Sequence, residues 1–106
     1  MPEMHFRVQW PNGEIERCYS PSYVIEEHLT VGEAYTVEDF VFRTRSALEI
    51  ASERVRAKYG FACSSALDQL ERIEATAGAL SSEQRSGHVK VLEFEKHAPR
   101  DARKSG

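Results

Sequence analysis

Hydrophobic and polar residues alternate at the start of the chain. Phe6, Val8 and Trp10 fall on one side of a strand, while the residues between them are polar. A repeat of two residues is typical of a half-buried β-strand. The Asn-Gly pair at residues 12–13 favours a two-residue type I′ turn. The pattern therefore predicts a β-hairpin whose second strand covers residues 14–19.

A two-residue turn also fixes which residues of the hairpin lie opposite each other. Phe6 is then expected to face Tyr19 across the two strands. Cys18 is expected on the more polar face beside Arg7, where a neighbouring cation lowers the pKa of a thiol. A shift of one residue in the register would reverse this assignment, because successive side chains of a strand point to opposite faces.

A short helix and a loop are predicted after the hairpin. Ser20 precedes Pro21, and an N-cap residue followed by proline at the first helical position is a common helix start. This signal predicts a helix over residues 21–28. Residues 30–35 contain Gly32 and show no periodicity, so they are predicted to form a loop.

Two longer helices are predicted from apolar residues that recur every three or four positions. The first begins at Thr36, a capping residue followed by acids, and ends at Gly60. The second begins at Ser64 or Ser65, either of which can serve as N-cap. The apolar stripes are Val37, Phe40, Val41, Leu48, Ala51 and Val55 in the first helix and Ala66, Leu67, Leu70, Ile73, Ala77 and Leu80 in the second.

A polar connection over residues 81–87 leads to a strand predicted over residues 88–94. In that strand Leu92 and Phe94 fall on one side and two valines on the other. Apolar residues on both faces are typical of a central or well-covered strand.

The predicted fold class is α+β, with a single domain over residues 1–95 and a flexible charged tail over residues 96–106. We expect an N-terminal β-hairpin and a late third strand in a small antiparallel sheet. Two or three helices should pack on one face of that sheet.

Composition excludes several classes of protein and partner but does not indicate a reaction. The chain is 41% hydrophobic and 29% charged, as in ordinary globular domains. A formal net charge of −3 and the lack of interleaved basic and aromatic residues argue against a nucleic-acid partner. The apolar runs are too short for a membrane span, and residues 1–5 lack the pattern of a secretory signal. We therefore expect a cytoplasmic protein.

Cys63 is the best candidate for chemistry, because it lies at or just before a predicted helix N-terminus. Free backbone N–H groups and the helix dipole stabilise a thiolate there. With Cys63 as catalytic nucleophile, the protein would be a small enzyme or an enzyme subunit. The simpler interpretation is that Ser64 or Ser65 caps the helix while Cys63 packs as a small apolar side chain.

A metal site formed by Cys18 and Cys63 is a weaker hypothesis. The two cysteines are far apart in the sequence, match no zinc-binding motif, and have no histidine at ligand spacing. Such a site would need further ligands that meet both thiols in space. The sequence leaves the identity of any cofactor unknown.

Three segments of the chain resemble a known bacterial family. They are residues 1–13 (MPEMHFRVQWPNG), residues 17–22 (RCYSPS) and residues 54–70 (RVRAKYGFACSSALDQL). These segments are similar to the small nitrogen starvation response proteins, whose genes lie in a neighbourhood centred on a nitrilase. The resemblance covers about residues 1–94 and is most specific over residues 59–70.

The resemblance implies a role in nitrogen supply rather than a defined reaction. It implies an accessory or regulatory protein of a pathway that uses nitrile or cyanide nitrogen. Such a protein would bind a small metabolite or a protein encoded in the same gene cluster, and a homo-oligomer is left open. This role is favoured over an enzyme because no acid–base set is evident. The candidate binding residues are Cys18, Tyr19, Tyr59, Cys63, Ser64 and Ser65.

Overall fold

The computed structural model describes residues 3–60 and 64–97 of the chain. Within these residues the elements follow one another as β1 (Glu3–Gln9), β2 (Ile15–Ser20), α1 (Ile25–His28), β3 (Ala34–Thr36), α2 (Val37–Tyr59), α3 (Ser64–Gly78), α4 (Ser82–Arg85) and β4 (His88–His97). The strands form one antiparallel sheet in the order β2-β1-β4-β3. The predicted α+β class is confirmed, with a fourth strand that the sequence pattern did not predict.

The predicted register of the hairpin is wrong by one residue. The turn contains three residues, because Trp10 N–H donates to the Glu14 carbonyl at 2.8 Å and Gly13 N–H donates to the Trp10 carbonyl at 2.8 Å. Gly13 has a φ of 95°, whereas Asn12 keeps a negative φ, so the two positive φ angles of a type I′ turn are absent. Phe6 consequently lies opposite Cys18 instead of Tyr19.

Pro11 explains this register. In a two-residue turn over residues 12–13, Pro11 would be one of the two residues that close the hairpin through paired hydrogen bonds. Proline has no N–H to donate. Placing Pro11 inside a three-residue turn moves the closing pair to Trp10 and Glu14, and the Trp10 N–H is then satisfied.

The inner face of the sheet forms the core with the two long helices. Met4, Phe6, Val8 and Cys18 project from β1 and β2 and are fully buried, as are Val89 and Val91 of β4. The Trp10 ring meets the Phe40 ring of α2 edge to face, with centroids 5.3 Å apart, a favourable arrangement for two aromatic rings.

Helix α2 matches its prediction at both ends. The Thr36 hydroxyl accepts a hydrogen bond from Asp39 N–H at 3.1 Å, and Gly60 ends the helix with a φ of 89°. The predicted stripe faces the core, with Val41 only half-buried. Both ends were predictable because caps are local signals that need no tertiary contact.

Helix α3 departs from its predicted stripe at one turn. Leu67 was predicted to be buried but is 43% exposed, while Gln69 is buried. The helix begins at Ser64, so both candidate cap residues, Ser64 and Ser65, lie within its first turn. Ala66, Leu70, Ile73 and Ala77 face the core as predicted, and Leu80 is buried as well but lies just after the end of the helix.

Two segments between the main elements differ from the prediction. The helix predicted over residues 21–28 is shorter, and α1 begins at Ile25. Ser20 does not cap it, because the N-cap residue is Val24. The Ser20 hydroxyl instead donates to the Ser22 carbonyl at 2.7 Å and accepts from Ser22 N–H at 3.2 Å. The last two residues of the predicted loop, Ala34 and Tyr35, form β3 together with the helix cap Thr36, and β3 pairs with the start of β4. Within the polar connection, Ser81 and Gln84 form a capping box that starts α4.

Strand β4 carries an irregularity that brings Phe94 to the core side. Its register with β1 shifts between Arg7 and Val8, so that Phe6 faces Phe94 while Val8 faces Val91. Phe94 therefore packs against the core on the same side as the valines, contrary to the alternation predicted for this strand. Bulges of this kind are not visible in a period-two pattern. The strand extends to His97, and the rest of the predicted tail lies outside the described residues.

The outer face of the sheet is polar and bound together by charge. Glu95 of β4 accepts hydrogen bonds from Arg17 at 2.8 Å and from Arg7 at 2.9 Å. The Arg17 hydrogen bond is the main cause that lowers the pKa of Glu95 to about 2.

None of the described helices is long and apolar enough to cross a membrane.

Candidate functional site

A polar cleft of about 300 Å³ lies where α3 packs beside the edge strand β2. This volume is at the lower end of the range for ligand sites in proteins. Every side chain that lines the cleft carries a hydrogen-bonding group. The lining residues are His5, Tyr19, Ser65, Asp68, Gln69 and Arg72.

Gln69 joins α3 to the sheet at the base of the cleft. Its side-chain oxygen accepts a hydrogen bond from Tyr19 N–H at 3.0 Å, and its side-chain nitrogen donates to Glu16 at 3.4 Å. The Tyr19 N–H points away from β1, because hydrogen-bonded pairs alternate along an antiparallel ladder. Gln69 thus satisfies a donor on the open edge of β2 and holds α3 at a fixed height along that strand.

Glu16 links this contact to the core. Its second carboxylate oxygen accepts a hydrogen bond from Trp10 Nε1 at 2.9 Å. The Trp10 ring is almost completely buried, and a buried indole N–H needs an acceptor. The chain of contacts from Trp10 through Glu16 and Gln69 to Tyr19 therefore ties one wall of the cleft to the centre of the domain.

Two aromatic side chains form the sheet side of the cleft. His5 and Tyr19 are direct neighbours in the register of β1 and β2. Their rings meet edge to face with centroids 5.6 Å apart, and both residues are half-buried. Each ring has an apolar body and a polar tip, so this wall offers both contact area and hydrogen bonds to a ligand.

The helix side of the cleft carries one acid and one base. Ser65, Asp68 and Arg72 follow one another at spacings of three and four residues on α3, which places them on one helix face. All three are exposed to solvent. Across residues 3–60 and 64–97, neither Asp68 nor Arg72 takes part in an ion pair.

The candidate binding residues from the sequence are divided by the structure. Tyr19 and Ser65 meet in the cleft, and Ser64 is the residue before Ser65 at the start of α3. Tyr59 lies at the end of α2, is 50% exposed, and contacts Lys58 rather than the cleft. Cys63 lies outside the described residues, so its candidate roles as nucleophile and binding residue stay predictions.

Cys18 lies in the core instead of on the polar face. Its side chain is fully buried opposite Phe6. Burial raises the pKa of its thiol well above the usual value, and the nearby Glu16 carboxylate raises it further. The expected lowering of this pKa by Arg7 is therefore wrong, because the register shift moved Cys18 to the inner face.

A metal site has no support among the described residues. No group of three or more histidine, cysteine, aspartate or glutamate side chains comes together there in a way that could hold an ion. The weak hypothesis of a metal bound by Cys18 and Cys63 stays a prediction with respect to Cys63. At Cys18, burial disfavours the thiolate that a metal ligand requires.

Four residues of the cleft were missed from the sequence. They are His5, Asp68, Gln69 and Arg72. Asp68 and Arg72 had a weak local signal, since they lie one helical turn from each other after Ser65. Gln69 and His5 had none, because their place in the cleft depends on how α3 packs against β2.

Comparison with known proteins supports the nitrogen starvation family indicated by the resemblance, whereas the link to a nitrilase gene cluster stays a prediction. No curated protein and no solved structure matches the chain. The family described as nitrogen starvation-induced protein NitG matches residues 5–94, a range that contains both walls of the cleft. The chain therefore belongs to the NitG family of nitrogen starvation-induced proteins.

Proposed function

We propose that this protein is a non-catalytic accessory or regulatory protein that binds a small polar metabolite in the cleft between α3 and β2. The observation that carries the proposal is the lining itself, in which six polar side chains from two strands and one helix converge on about 300 Å³. Convergent polar groups in a preformed concave site are typical of small-molecule recognition.

The rigid support of the cleft favours binding. Gln69 and Glu16 are held by hydrogen bonds that reach the buried Trp10. A wall fixed in this way loses little conformational freedom when a ligand enters, so less of the binding energy is spent on ordering the site. Induction by nitrogen starvation in this family favours a nitrogen-containing ligand.

The pathway is a further part of the proposal. From the resemblance to proteins encoded beside a nitrilase, we infer that the protein acts in the use of nitrile or cyanide nitrogen. In this role the bound and free forms would differ in their affinity for a protein encoded in the same cluster. A change in affinity for a partner requires a ligand that distinguishes two states of the protein.

The cleft is tested by blocking it. A panel of small amino acids, amines, carboxylates and amides is titrated into isotope-labelled protein, and backbone amide shifts are followed. Shifts should concentrate at the cleft residues. Ser65→Gln, which adds bulk to the lining of the cleft, should weaken the binding at least about tenfold. Ser82→Gln, at an exposed position of α4, is the matched control and should bind as wild type does.

The pathway is tested in cells by growth on a nitrile or cyanide as the nitrogen source. A deletion strain should grow slowly and recover with the wild-type gene or with Ser82→Gln. It should not recover with Ser65→Gln. Equal recovery with both variants would show that the cleft is unnecessary for the response.

An activated thiol at Cys63 is the second candidate function. The observation that favours it is the position of Cys63 in the sequence, immediately before Ser64 and two residues from Ser65, which lines the cleft. Alkylation of Cys63 in a Cys18→Ala variant should then titrate well below the usual thiol pKa of about 8.5. Titration at or above that value would exclude this candidate.

A further inference from the structure

The cleft contains an acidic residue, Asp68, and a basic residue, Arg72, which form no ion pair with each other. Asp68 precedes Arg72 by four residues on α3, the order and spacing that favour an ion pair within a helix. Elsewhere the protein closes such pairs, as Asp39 does with Arg43 at 3.0 Å. Asp68 and Arg72 form no ion pair within the part of the chain that the structure describes.

The two charges are both presented to the same small space. Asp68 and Arg72 line the cleft together, and Ser65, Gln69 and Tyr19 place neutral hydrogen-bonding groups around them. The Cβ atoms of residues four apart on a helix are about 5–6 Å from each other. A ligand that lies between the two side chains can therefore contact both charged ends at once.

We propose that the ligand of the cleft is a small zwitterion of the α-amino acid class, with its ammonium group at Asp68 and its carboxylate at Arg72. This inference rests on the proposed function, since it names the chemical class of the metabolite. The guanidinium of Arg72 matches a carboxylate with two parallel hydrogen bonds. The carboxylate of Asp68 accepts hydrogen bonds from an ammonium group.

A singly charged ligand complements the cleft less well. An anion would pair with Arg72 but lie near the carboxylate of Asp68, and a cation would pair with Asp68 but lie near Arg72. Charges of like sign at short distance reduce affinity, and complementary charges at both ends of a ligand set its orientation. The α-amino acid carries both charges on groups attached to one carbon, which suits a cleft at the lower end of the ligand-binding range.

The test compares ligands that carry both an ammonium and a carboxylate group with ligands that carry only one of the two. Glycine and L-alanine are titrated against methylamine, ethylamine, acetate and propionate, with binding measured by calorimetry and by amide shifts at the cleft. The amino acids should bind at least about tenfold more tightly than either singly charged series, as expected for one charge-assisted hydrogen-bonded contact.

Two variants assign the two ends of the ligand. Asp68→Asn should weaken amino acid binding by roughly 10- to 100-fold and leave carboxylate binding unchanged or improved. Arg72→Gln should weaken amino acid and carboxylate binding and spare the amines. Glu71→Gln and Lys90→Gln, which remove exposed charges outside the cleft, are matched controls and should bind amino acids as wild type does. Circular dichroism and thermal unfolding establish that all four variants fold.

The outcomes separate this inference from the proposed function. Carboxylates or amines that bind wild type as tightly as amino acids, with shifts at the cleft, would overturn the zwitterion and leave the cleft as a binding site. Amino acid binding that survives both Asp68→Asn and Arg72→Gln would also overturn it. If no compound in the panel shifts the cleft residues, the zwitterion and the proposed function both fall.

Discussion

Cys18 is a buried thiol whose surroundings oppose ionisation. Its pKa is raised by burial and by Glu16, and only the thiolate reacts with alkylating reagents. In a Cys63→Ser variant, we expect native Cys18 to react with iodoacetamide at least about 100-fold more slowly than the same thiol in urea-unfolded protein, since reaction requires opening of the core. Fast alkylation of the native variant would contradict the burial of Cys18.

The raised pKa of Cys18 also makes the free energy of unfolding depend on pH. Above the unfolded-state thiol pKa of about 8.5, the unfolded chain releases the Cys18 proton while the folded chain keeps it. The stability that Cys18 contributes is therefore full below that pH and falls as pH rises toward the folded-state pKa, by at most about 1.4 kcal/mol per pH unit. Urea unfolding between pH 7 and 10 measures this slope. A Cys18→Ala, Cys63→Ser variant is the control, and its free energy of unfolding should depend less on pH.

At the scale of elements, the glycine that ends α2 has a measurable conformational role. Gly60 has a φ of 89°, and a Cβ added there would meet nothing within 4 Å. The cost of Gly60→Ala is then backbone strain alone, about 1 kcal/mol in the free energy of unfolding. Gly78 of α3 also has open space around it but lacks a positive φ.

Gly78→Ala is therefore the matched control for Gly60→Ala. Because alanine favours the helix over glycine, Gly78→Ala should be neutral or should stabilise by up to about 1 kcal/mol. Urea unfolding of both variants gives the comparison. A loss of similar size in both would mean that the conformation of Gly60 does not determine the cost.

The helices and strands also show which features of the fold can be predicted from local sequence signals alone. The limits of α2 follow from Thr36 and Gly60, which act within one turn of the helix. The hairpin was predicted, but its register depended on Pro11 having no N–H at a position where the ladder needs one. The shift in β4 depended on pairing with β1, a contact between opposite ends of the domain that no local pattern describes.

At the scale of the whole molecule, α3 protects the open edge of the sheet. Gln69 occupies the outward N–H of Tyr19, and unpaired edge strands are templates for pairing with other chains. Gln69→Ala should lower the free energy of unfolding by about 1–2 kcal/mol and increase self-association in sedimentation velocity at high protein concentration.

Two further variants show which property of Gln69 matters. Gln69→Leu keeps most of the side-chain volume but removes the acceptor, so it should self-associate as Gln69→Ala does. Glu71→Ala, at an exposed position of the same helix, should remain as monodisperse as wild type. Self-association of Gln69→Ala without that of Gln69→Leu would assign the effect to lost packing rather than to the freed Tyr19 N–H.

The candidate site was predictable only in part, because it depends on contacts between residues that are distant in the sequence. Tyr19 and Ser65 were singled out by the resemblance, and they do lie together. Arg72 and Gln69 belong to the cleft because α3 packs at a fixed position along β2. The contacts of Gln69 with Tyr19 and Glu16 set that position. Such a contact joins residues about half the chain apart, and its geometry follows from packing rather than from local sequence.

The pairing of the first strand with the last also determines when the sheet can form during synthesis. Arg7 and Glu95, which are hydrogen-bonded across β1 and β4, are 88 positions apart in the chain. A hairpin of β1 and β2 alone is only marginally stable, so the sheet cannot close during synthesis until β4 has emerged. Folding that waits for such distant contacts is slow compared with that of a helical bundle. A cell that makes this protein therefore obtains folded domains only after β4 has been synthesised, and the edges of the hairpin stay exposed until then.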